Sequence, residues 1–318
     1  MMYTTNLLLL LAFTGSAVAA FPTKLIYQSP TGVFLENIAI RPSSKLLITS
    51  AQLPTLFTLD PNAASATLNE IYTFPNSTSL TGIVEYRPDV YAIVASELNL
   101  TAISAPPGSV VIWSVDLTSG SPVARPAARI PQSTLTNGLS SVPGHPDLVL
   151  AADSDLGAAY EVNMRTGAVR VKTQDPALAA GAPAPPALGI NGLHVRDGSL
   201  YFTNTQQGTF ARVPLRGGTV EVLGDLKPFG LSGGYDDFAF DVEGRAWVAT
   251  HPGTLQLFTP LANGTWVQET AVGDPAGSMV VNVPTAAAFG RKGSRKTKIL
   301  YVTTETGQIV AVDTGAKA

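Results

Sequence analysis

Polar side chains recur at the start of six short apolar strands that are spread along the sequence. Two of them are carboxylates, two are amides and two are threonines: Glu36, Thr81, Asn137, Asn191, Asp236 and Thr285. Carboxylate and amide oxygens are ligands that hard divalent cations such as Ca²⁺ prefer. A carboxyl group can also act as a general acid. The sequence therefore predicts a divalent-metal site or an acid site, provided that one fold brings these positions together.

The elements that would position these residues form an internal repeat. Each unit has an apolar strand, a turn, a second strand that ends in small polar residues, and a third strand introduced by Gly or Pro. One apolar residue anchors each first strand, and successive anchors are 45, 56, 54, 45 and 49 residues apart: Ile38, Ile83, Leu139, Leu193, Phe238 and Ala287. Units of about 40–50 residues with three or four short strands are typical of propeller blades. The sequence predicts an all-β fold, a six-bladed β-propeller, with the polar residues converging at one mouth of its channel.

The last unit predicts how the ring closes. Its third strand covers residues 308–312, and no fourth, outer strand follows before residue 318. An otherwise unassigned strand, residues 24–28, precedes the first unit. We expect this N-terminal strand to complete the sixth blade, because pairing the two ends would remove an exposed sheet edge.

The N-terminal residues predict a secreted protein. Residues 1–20 hold an apolar run from Leu7 to Phe13 followed by small residues, as in a signal peptide, so residues 21–318 would form the propeller. No other segment stays apolar over the about 20 residues that a membrane span needs. Three N-x-[ST] sequons, at Asn76, Asn99 and Asn263, predict glycosylation. We expect a glycoprotein that is secreted or held in the lumen of the secretory pathway.

Composition narrows the classes of function. The chain has no cysteine, which excludes a thiol nucleophile and a thiolate metal site. Its net charge of −3 offers no broad basic surface for nucleic acid. Ser140 and Ser141 lack the context of a nucleophile elbow, which argues against a serine hydrolase. We expect a monomer whose partners are small apolar molecules.

Structural roles are open for the same residues. Asn137 and Asn191 each precede a glycine, so they could simply set the turn into the strand. Glu36 and Asp236 could be buried hydrogen-bond partners. His194 alternates with apolar residues on a strand, which favours a satisfied polar position over a catalytic base. Residues 174–188 are rich in Ala, Pro and Gly, and they predict either a surface insertion or an apolar flap over the mouth.

Residues 236–249 read Asp-x-x-Ala-x-Asp-x-x-Gly-x-x-Trp-Val-Ala, and Asn-Gly pairs begin the third and fourth units. With these motifs the sequence resembles the gluconolactonase and senescence-marker-protein superfamily over all six units. In that family one Glu, two Asn and one Asp hold a catalytic divalent metal. The resemblance therefore implies four ligands: Glu36, Asn137, Asn191 and Asp236. Asp237 stands where the family usually has Gly, which leaves open which of the two aspartates faces the channel.

The leader and residues 24–28, 36–41, 81–83, 87–90 and 201–210 are similar to secreted fungal propellers that include hetero-Diels–Alderases of tropolone–sesquiterpenoid biosynthesis. This resemblance implies a pericyclase. Such an enzyme promotes loss of water from a hydroxymethyl precursor and holds the resulting quinone methide against a terpene alkene for a [4+2] addition. The reaction requires no cofactor.

That chemistry needs an acid and a dry apolar pocket that orients two large partners. The resemblance implies Glu36, Asp236 or Asp237 as the acid. Aromatic residues near the mouth would form the pocket wall, with the two amides beside them: Phe229, Tyr235, Phe238, Asn137 and Asn191.

Three functions follow from these patterns. The first is the pericyclase, and the second is a lactonase or related hydrolase that depends on Ca²⁺ or another divalent cation. The third is a binding propeller without catalysis, since propellers host many unrelated functions.

Overall fold

The computed structural model describes residues 21–181, 186–227 and 233–316, and in them the chain forms six four-stranded antiparallel sheets. The innermost strands of the sheets are β2 (Leu35–Ile40), β6 (Ser79–Arg87), β10 (Thr136–Val142), β14 (Ile190–Arg196), β18 (Tyr235–Phe240) and β22 (Pro284–Lys292). The second strands are β3 (Leu46–Ser50), β7 (Val90–Ser96), β11 (His145–Asp153), β15 (Ser199–Asn204), β19 (Ala246–Thr250) and β23 (Arg295–Thr304).

The outer half of each sheet repeats the same pattern. The third strands are β4 (Thr55–Leu59), β8 (Val111–Asp116), β12 (Ala158–Asn163), β16 (Thr209–Pro214), β20 (Thr254–Pro260) and β24 (Gln308–Asp313). The outermost strands are β5 (Asn69–Thr73), β9 (Val123–Arg129), β13 (Val169–Gln174), β17 (Glu221–Asp225), β21 (Trp266–Gly273) and β1 (Thr23–Gln28).

The innermost strands form a closed ring. Each packs on the innermost strands of both neighbouring sheets, in the order β2, β6, β10, β14, β18, β22 and back to β2. The six sheets are therefore six blades around one central channel, and the predicted six-bladed β-propeller is confirmed.

The N-terminal strand closes this ring. β1 pairs antiparallel with β24, from Thr23 opposite Val312 to Gln28 opposite Gln308. The sixth blade thus has the strand order β1-β24-β23-β22, which confirms the predicted closure. Pairing covers the edge of β24, which would otherwise expose unpaired backbone groups.

Apolar residues fill the spaces between neighbouring blades. In the space between the fifth and sixth blades, buried Trp247 packs with Leu300 and Val310, and the ring of Phe21 stands edge-on to its indole at 4.9 Å. A single four-stranded sheet cannot cover both of its own faces, so the stacking of blades supplies the core.

The channel has two ends with different connections. The inner strands begin at the end that we call the loop end, where long connections lie, such as residues 97–110 and 274–283. They finish at the opposite end, the turn end, where two to five residues connect each to its second strand. Function in propellers is carried by such connections on a rigid scaffold. Within the described ranges, no helix has the length and apolarity needed to cross a membrane.

Part of the Ala/Pro-rich connection between the third and fourth blades packs against these two blades. Leu178 is fully buried, and the amide of Asn204 donates hydrogen bonds to the carbonyl oxygens of Ala177 (2.9 Å) and Ala179 (2.7 Å). Residues 182–185 of this connection lie outside the described residues, so the flap stays a prediction.

Candidate functional site at the loop end of the channel

A β-bulge interrupts every innermost strand at the same height. Pairing with the second strand skips residues near the start of each inner strand, for example between Leu35 and Ile38 and between Tyr235 and Phe238. A bulge re-aims the side chains that it contains. The first bulge residue in each blade is one of the six polar residues singled out by sequence, and all six are buried: Glu36, Thr81, Asn137, Asn191, Asp236 and Thr285.

In the first five blades the pairing skips a second residue, and this position separates those blades into two kinds. Three blades have glycine there: Gly82, Gly138 and Gly192. A Cβ on Gly138 would lie 2.7 Å from the carbonyl oxygen of Asn191, and one on Gly192 would collide with Asp237, so these positions have no room for a side chain. The first and fifth blades instead carry Asn37 and Asp237.

These two exceptions meet inside the channel. The amide of Asn37 donates a hydrogen bond to Asp237 Oδ2 (2.8 Å), while Asp237 Oδ1 lies 3.1 Å from His194 Nε2 and accepts the N–H of Phe238 (2.8 Å). We call Asn37, Asp237 and His194 the partition, because all three line a cavity at the turn end whose lining does not include Glu36 or Asp236.

The partition occupies Asp237 with hydrogen bonds, and the role of Asp237 as an acid stays a prediction. Each of its oxygens accepts a hydrogen bond from the described residues. It therefore has a structural role, and Asp236 is the neighbour that stands with Glu36 at the loop end. His194 is a satisfied polar residue, as its alternation on the strand predicts.

Glu36 and Asp236 form an acidic centre at the loop end. Burial raises the pKa of Glu36 well above its usual range, and the charges of Asp236, Asp237 and Glu305 raise it further. Burial also raises the pKa of Asp236, although His251 partly opposes this shift. Both shifts favour the protonated carboxyl, and the shift of Glu36 is the larger one.

His251 belongs to this centre and was not predicted from the sequence. Its Nε2 lies 3.3 Å from Asp236 Oδ2. Burial disfavours the charged imidazole, but the contact with Asp236 and the charge of Glu305 more than offset it, so the pKa of His251 is raised. The available signal was its position directly after β19, at the loop end of the blade that carries Asp236.

The two amides leave acceptor capacity open. Asn191 donates to Thr205 Oγ1 (3.0 Å), while its own Oδ1 is buried without a hydrogen-bond partner among the described residues. The side chain of Asn137 makes no hydrogen bond to the described part of the chain either. A buried acceptor without a partner is costly, which points to a ligand at this position.

An oxygen-liganded divalent cation fits these residues. Two buried carboxylates and the free Asn191 oxygen are donors of the type that Ca²⁺ takes, with Asn137 as the fourth. The described ranges contain no cluster of three or more His, Cys, Asp or Glu side chains arranged to hold a metal, so such a site depends on the amides.

The structure buries two of the residues that the sequence predicts for the pocket wall. Tyr235 is fully buried in the aromatic core between the fourth and fifth blades, and its hydroxyl accepts a hydrogen bond from Gln268 (2.7 Å). Phe238 is also fully buried, with its ring edge-on to His194 at 4.7 Å. The residue just before the bulge points between the blades rather than into the channel. Phe229 lies outside the described residues.

Other apolar side chains surround the loop end. Among the described residues, five large ones are exposed on its connections, Met279 most of all with 81% of its surface exposed: Leu53, Leu100, Leu156, Met279 and Val280. Exposed apolar groups around a polar centre are typical of ligand-binding surfaces.

The three sequons lie at the surface. Asn76, Asn99 and Asn263 are all exposed, the first two at the loop end and the third in a turn at the opposite end. Exposure is needed for glycan attachment, and glycosylation itself stays a prediction.

Comparisons with known proteins agree with these observations. No protein-family model matches the chain. A protein of Phoma sp named as a candidate hetero-Diels-Alderase is 27% identical over 316 residues, which cover 91% of this chain and 88% of that protein. A second so named, asR5 of Sarocladium schorii, is 27% identical over 340 residues, which cover 91% of this chain and 80% of that protein.

Solved structures show the same fold. The calcium-binding protein regucalcin of Agrobacterium tumefaciens superposes with a TM-score of 0.60 at 18% identity, covering 92% of this chain and 93% of that one. A structure described as a candidate gluconolactonase gives a TM-score of 0.60 at 14% identity, covering 92% and 93%. The predicted resemblance is thus confirmed: the chain is similar in sequence to proteins named hetero-Diels-Alderases and has the fold of gluconolactonase-type propellers.

Proposed function

We propose that this protein is a pericyclase of the hetero-Diels–Alderase class, which joins a quinone-methide-type polyketide unit to a terpene alkene. The observation that carries the proposal is the similarity to two proteins of that name over 91% of the chain. The chemistry at the loop end of the channel supports it, because it supplies an acid beside apolar surface.

Glu36 is the acid in this proposal. Its buried carboxyl lies among Asp236, Asp237 and Glu305, and this environment favours the protonated form. The proton of Glu36 passes to the hydroxyl of the hydroxymethyl precursor, the C–O bond breaks and water departs. The ring hydroxyl of the precursor then returns a proton to the carboxylate, which restores Glu36.

The cycloaddition that follows needs position rather than proton transfer. The quinone methide and the alkene form one C–C bond and one C–O bond, and no atom leaves. The free Oδ1 of Asn191 and the amide of Asn137 are suited to orient the polar precursor. Met279 and Val280 provide apolar surface for the terpene, and holding both partners in register is worth several powers of ten in rate.

The test uses the purified protein with a hydroxymethyl polyketide precursor and a terpene alkene, followed by chiral chromatography of the adduct. We expect the wild-type protein to accelerate the reaction and to give one stereoisomer in excess. Glu36→Gln should lower the rate about 100-fold, because it removes the acid but keeps the shape. Glu97→Gln, a change at an exposed residue of the same end, should leave the rate unchanged.

Two results would contradict this proposal in different ways. A wild-type protein that gives neither acceleration nor stereoselectivity would exclude the pericyclase. Full activity in Glu36→Gln would keep the reaction class and remove Glu36 as the acid.

A second candidate is a lactonase or related hydrolase that depends on a divalent cation, and the free Asn191 oxygen favours it. Glu36, Asn137, Asn191 and Asp236 would hold the cation, which when bound polarises a carbonyl group. His251 beside Asp236 would compete with the cation when protonated. Elemental analysis of the purified protein tests this candidate. One divalent ion per chain, with lactone hydrolysis lost on chelation, would support it. A protein that holds no divalent ion and hydrolyses no lactone would exclude it.

A further inference from the structure

The turn end of the channel holds a cavity that the proposed reaction does not use. Its volume is about 390 Å³, within the range of sites for small molecules. We call it the turn-end chamber, and the partition forms its floor. Three residues after the first bulge residue, four inner strands present small side chains to the chamber: Ala39, Val84, Ala239 and Ala288.

The walls nearer the opening are apolar and aromatic. Phe240 and Phe289 both line the chamber. The Arg196 guanidinium lies 5.1 Å from the centroid of the Phe240 ring, and Lys296 Nζ lies 5.9 Å from that of Phe289. This combination of ring surfaces with cations beside them suits a flat aromatic molecule.

The carboxylates of the chamber are already paired. Asp237 is held within the partition. Glu85 accepts two hydrogen bonds from Arg291, at 2.7 and 3.0 Å, which neutralises both groups. Arg196 lies 3.1 Å from Asp197, whose side chain is mostly exposed to solvent.

Lys296 is a cation of the chamber that forms no ion pair with the described residues. Its ammonium group donates to the carbonyl oxygen of Phe240 (2.7 Å), and no carboxylate of the described residues lies within ion-pair distance. Burial and the neighbouring Arg196 lower the pKa of Lys296, and the charge of Asp241 partly opposes this shift. The Lys296 side chain is exposed at the opening of the chamber, so a negative group there can reach its ammonium group.

We propose that the turn-end chamber is a second binding site and that it takes a flat aromatic carboxylate. The carboxylate group lies against Lys296 and Arg196, and the ring lies between Phe240 and Phe289 above the small residues of the floor. This site is separate from the acidic centre, because its lining does not include Glu36 or Asp236.

Calorimetric titration with naphthoate and with the neutral naphthylmethanol tests this proposal. We expect the wild-type protein to bind one naphthoate, more tightly than naphthylmethanol. Lys296→Met should weaken naphthoate at least about tenfold and naphthylmethanol no more than about twofold, since only the charge is lost. Lys298→Met is the matched control, because Lys298 pairs with Asp313 on the outer part of the blade, and it should bind as the wild-type protein does.

Two further variants locate the ligand. Ala288→Leu should weaken the binding of both compounds at least about tenfold, because the larger side chain fills the chamber. The melting temperature of the variant shows whether the fold is kept. Glu36→Gln should bind naphthoate as the wild-type protein does, since Glu36 does not line the chamber. The proposal is overturned if naphthoate does not bind at millimolar concentration, if Lys296→Met binds it normally, or if Glu36→Gln loses it.

Discussion

The two ends of the channel are built from the same six strands but present different side chains. At the loop end, the charges of Asp236, Asp237 and Glu305 act on the buried carboxyl of Glu36, and His251 contacts Asp236. At the turn end, Arg196, Arg291 and Lys296 surround an apolar chamber. The arrangement of strands is the same in every blade, whereas the side chains at the two ends of the inner strands differ between blades. A symmetric scaffold can therefore hold two different binding environments.

The second bulge position explains how these environments stay apart. Gly82, Gly138 and Gly192 let neighbouring inner strands approach closely, because a Cβ at each position would collide with the next strand. Asn37 and Asp237 break this rule, and their side chains join inside the channel. With His194 they form the partition, which lines the turn-end chamber on its inner side. Two exceptions to the repeat therefore set the two ends of the channel apart.

The largest expected effect comes from opening the ring, which would destroy both ends together. Deleting residues 21–29 removes β1, exposes the edge of β24 and takes Phe21 away from Trp247. We expect the protein to be lost from the soluble secreted fraction, measured by immunoblot of the medium.

A point change in the same strand is the control for this deletion. Leu25→Thr alters a side chain of β1 that is largely exposed, so secretion should be normal. Normal secretion of the deleted chain would mean that β1 does not hold the propeller closed.

The next effect tests the partition. Asp237→Asn removes the charge that accepts hydrogen bonds from Asn37 and Phe238, and it leaves His194 without a carboxylate. We expect the free energy of unfolding to fall by about 2–4 kcal/mol, measured by urea denaturation. Asp197→Asn changes an exposed carboxylate and should stay within about 0.5 kcal/mol of the wild-type protein. Equal stabilities for the two variants would show that the partition adds nothing to the fold.

The sequence predicted the scaffold better than the directions of side chains. Six anchors at regular spacing were sufficient for the blade number, because each unit must stack on its neighbours to bury its faces. The missing outer strand of the last unit was sufficient for the closure by β1. The common height of Glu36 and Asp236 also followed from the repeat, since equivalent residues of equivalent strands lie at one level.

The directions of side chains could not be predicted where the strands are irregular. A bulge inserts a residue and breaks the alternation of faces, so the sequence could not separate the roles of Asp236 and Asp237. Tyr235 is next to the mouth in sequence but points between the blades for the same reason. His251 reaches Asp236 from the end of another strand, and no spacing rule predicts such a contact.

The smallest expected effect concerns a buried acid of the loop end that lies outside the acidic centre. It tests whether this acid, rather than Glu36 or Asp236, makes stability depend on pH. Asp153, the last residue of β11, lies in the third blade outside the acidic centre. Burial raises its pKa to about 6, although the N–H of Leu156 and the hydroxyl of Ser133 favour the ionised form. An acid whose pKa is higher in the folded state stabilises the fold when protonated. This stabilisation is complete below about pH 4 and is lost as the pH rises to about 6.

Asp153→Asn should remove this dependence, because an amide does not ionise and its oxygen can still accept from Leu156. We expect the contribution of Asp153 to fall by about 1–3 kcal/mol between pH 4 and pH 6 in the wild-type protein, and the variant to gain that amount above pH 6. Urea denaturation at a series of pH values measures it, with Glu70→Gln on an outer strand as a control that keeps the wild-type slope. If Asp153→Asn keeps that slope too, the carboxyls of the acidic centre must carry the pH dependence instead.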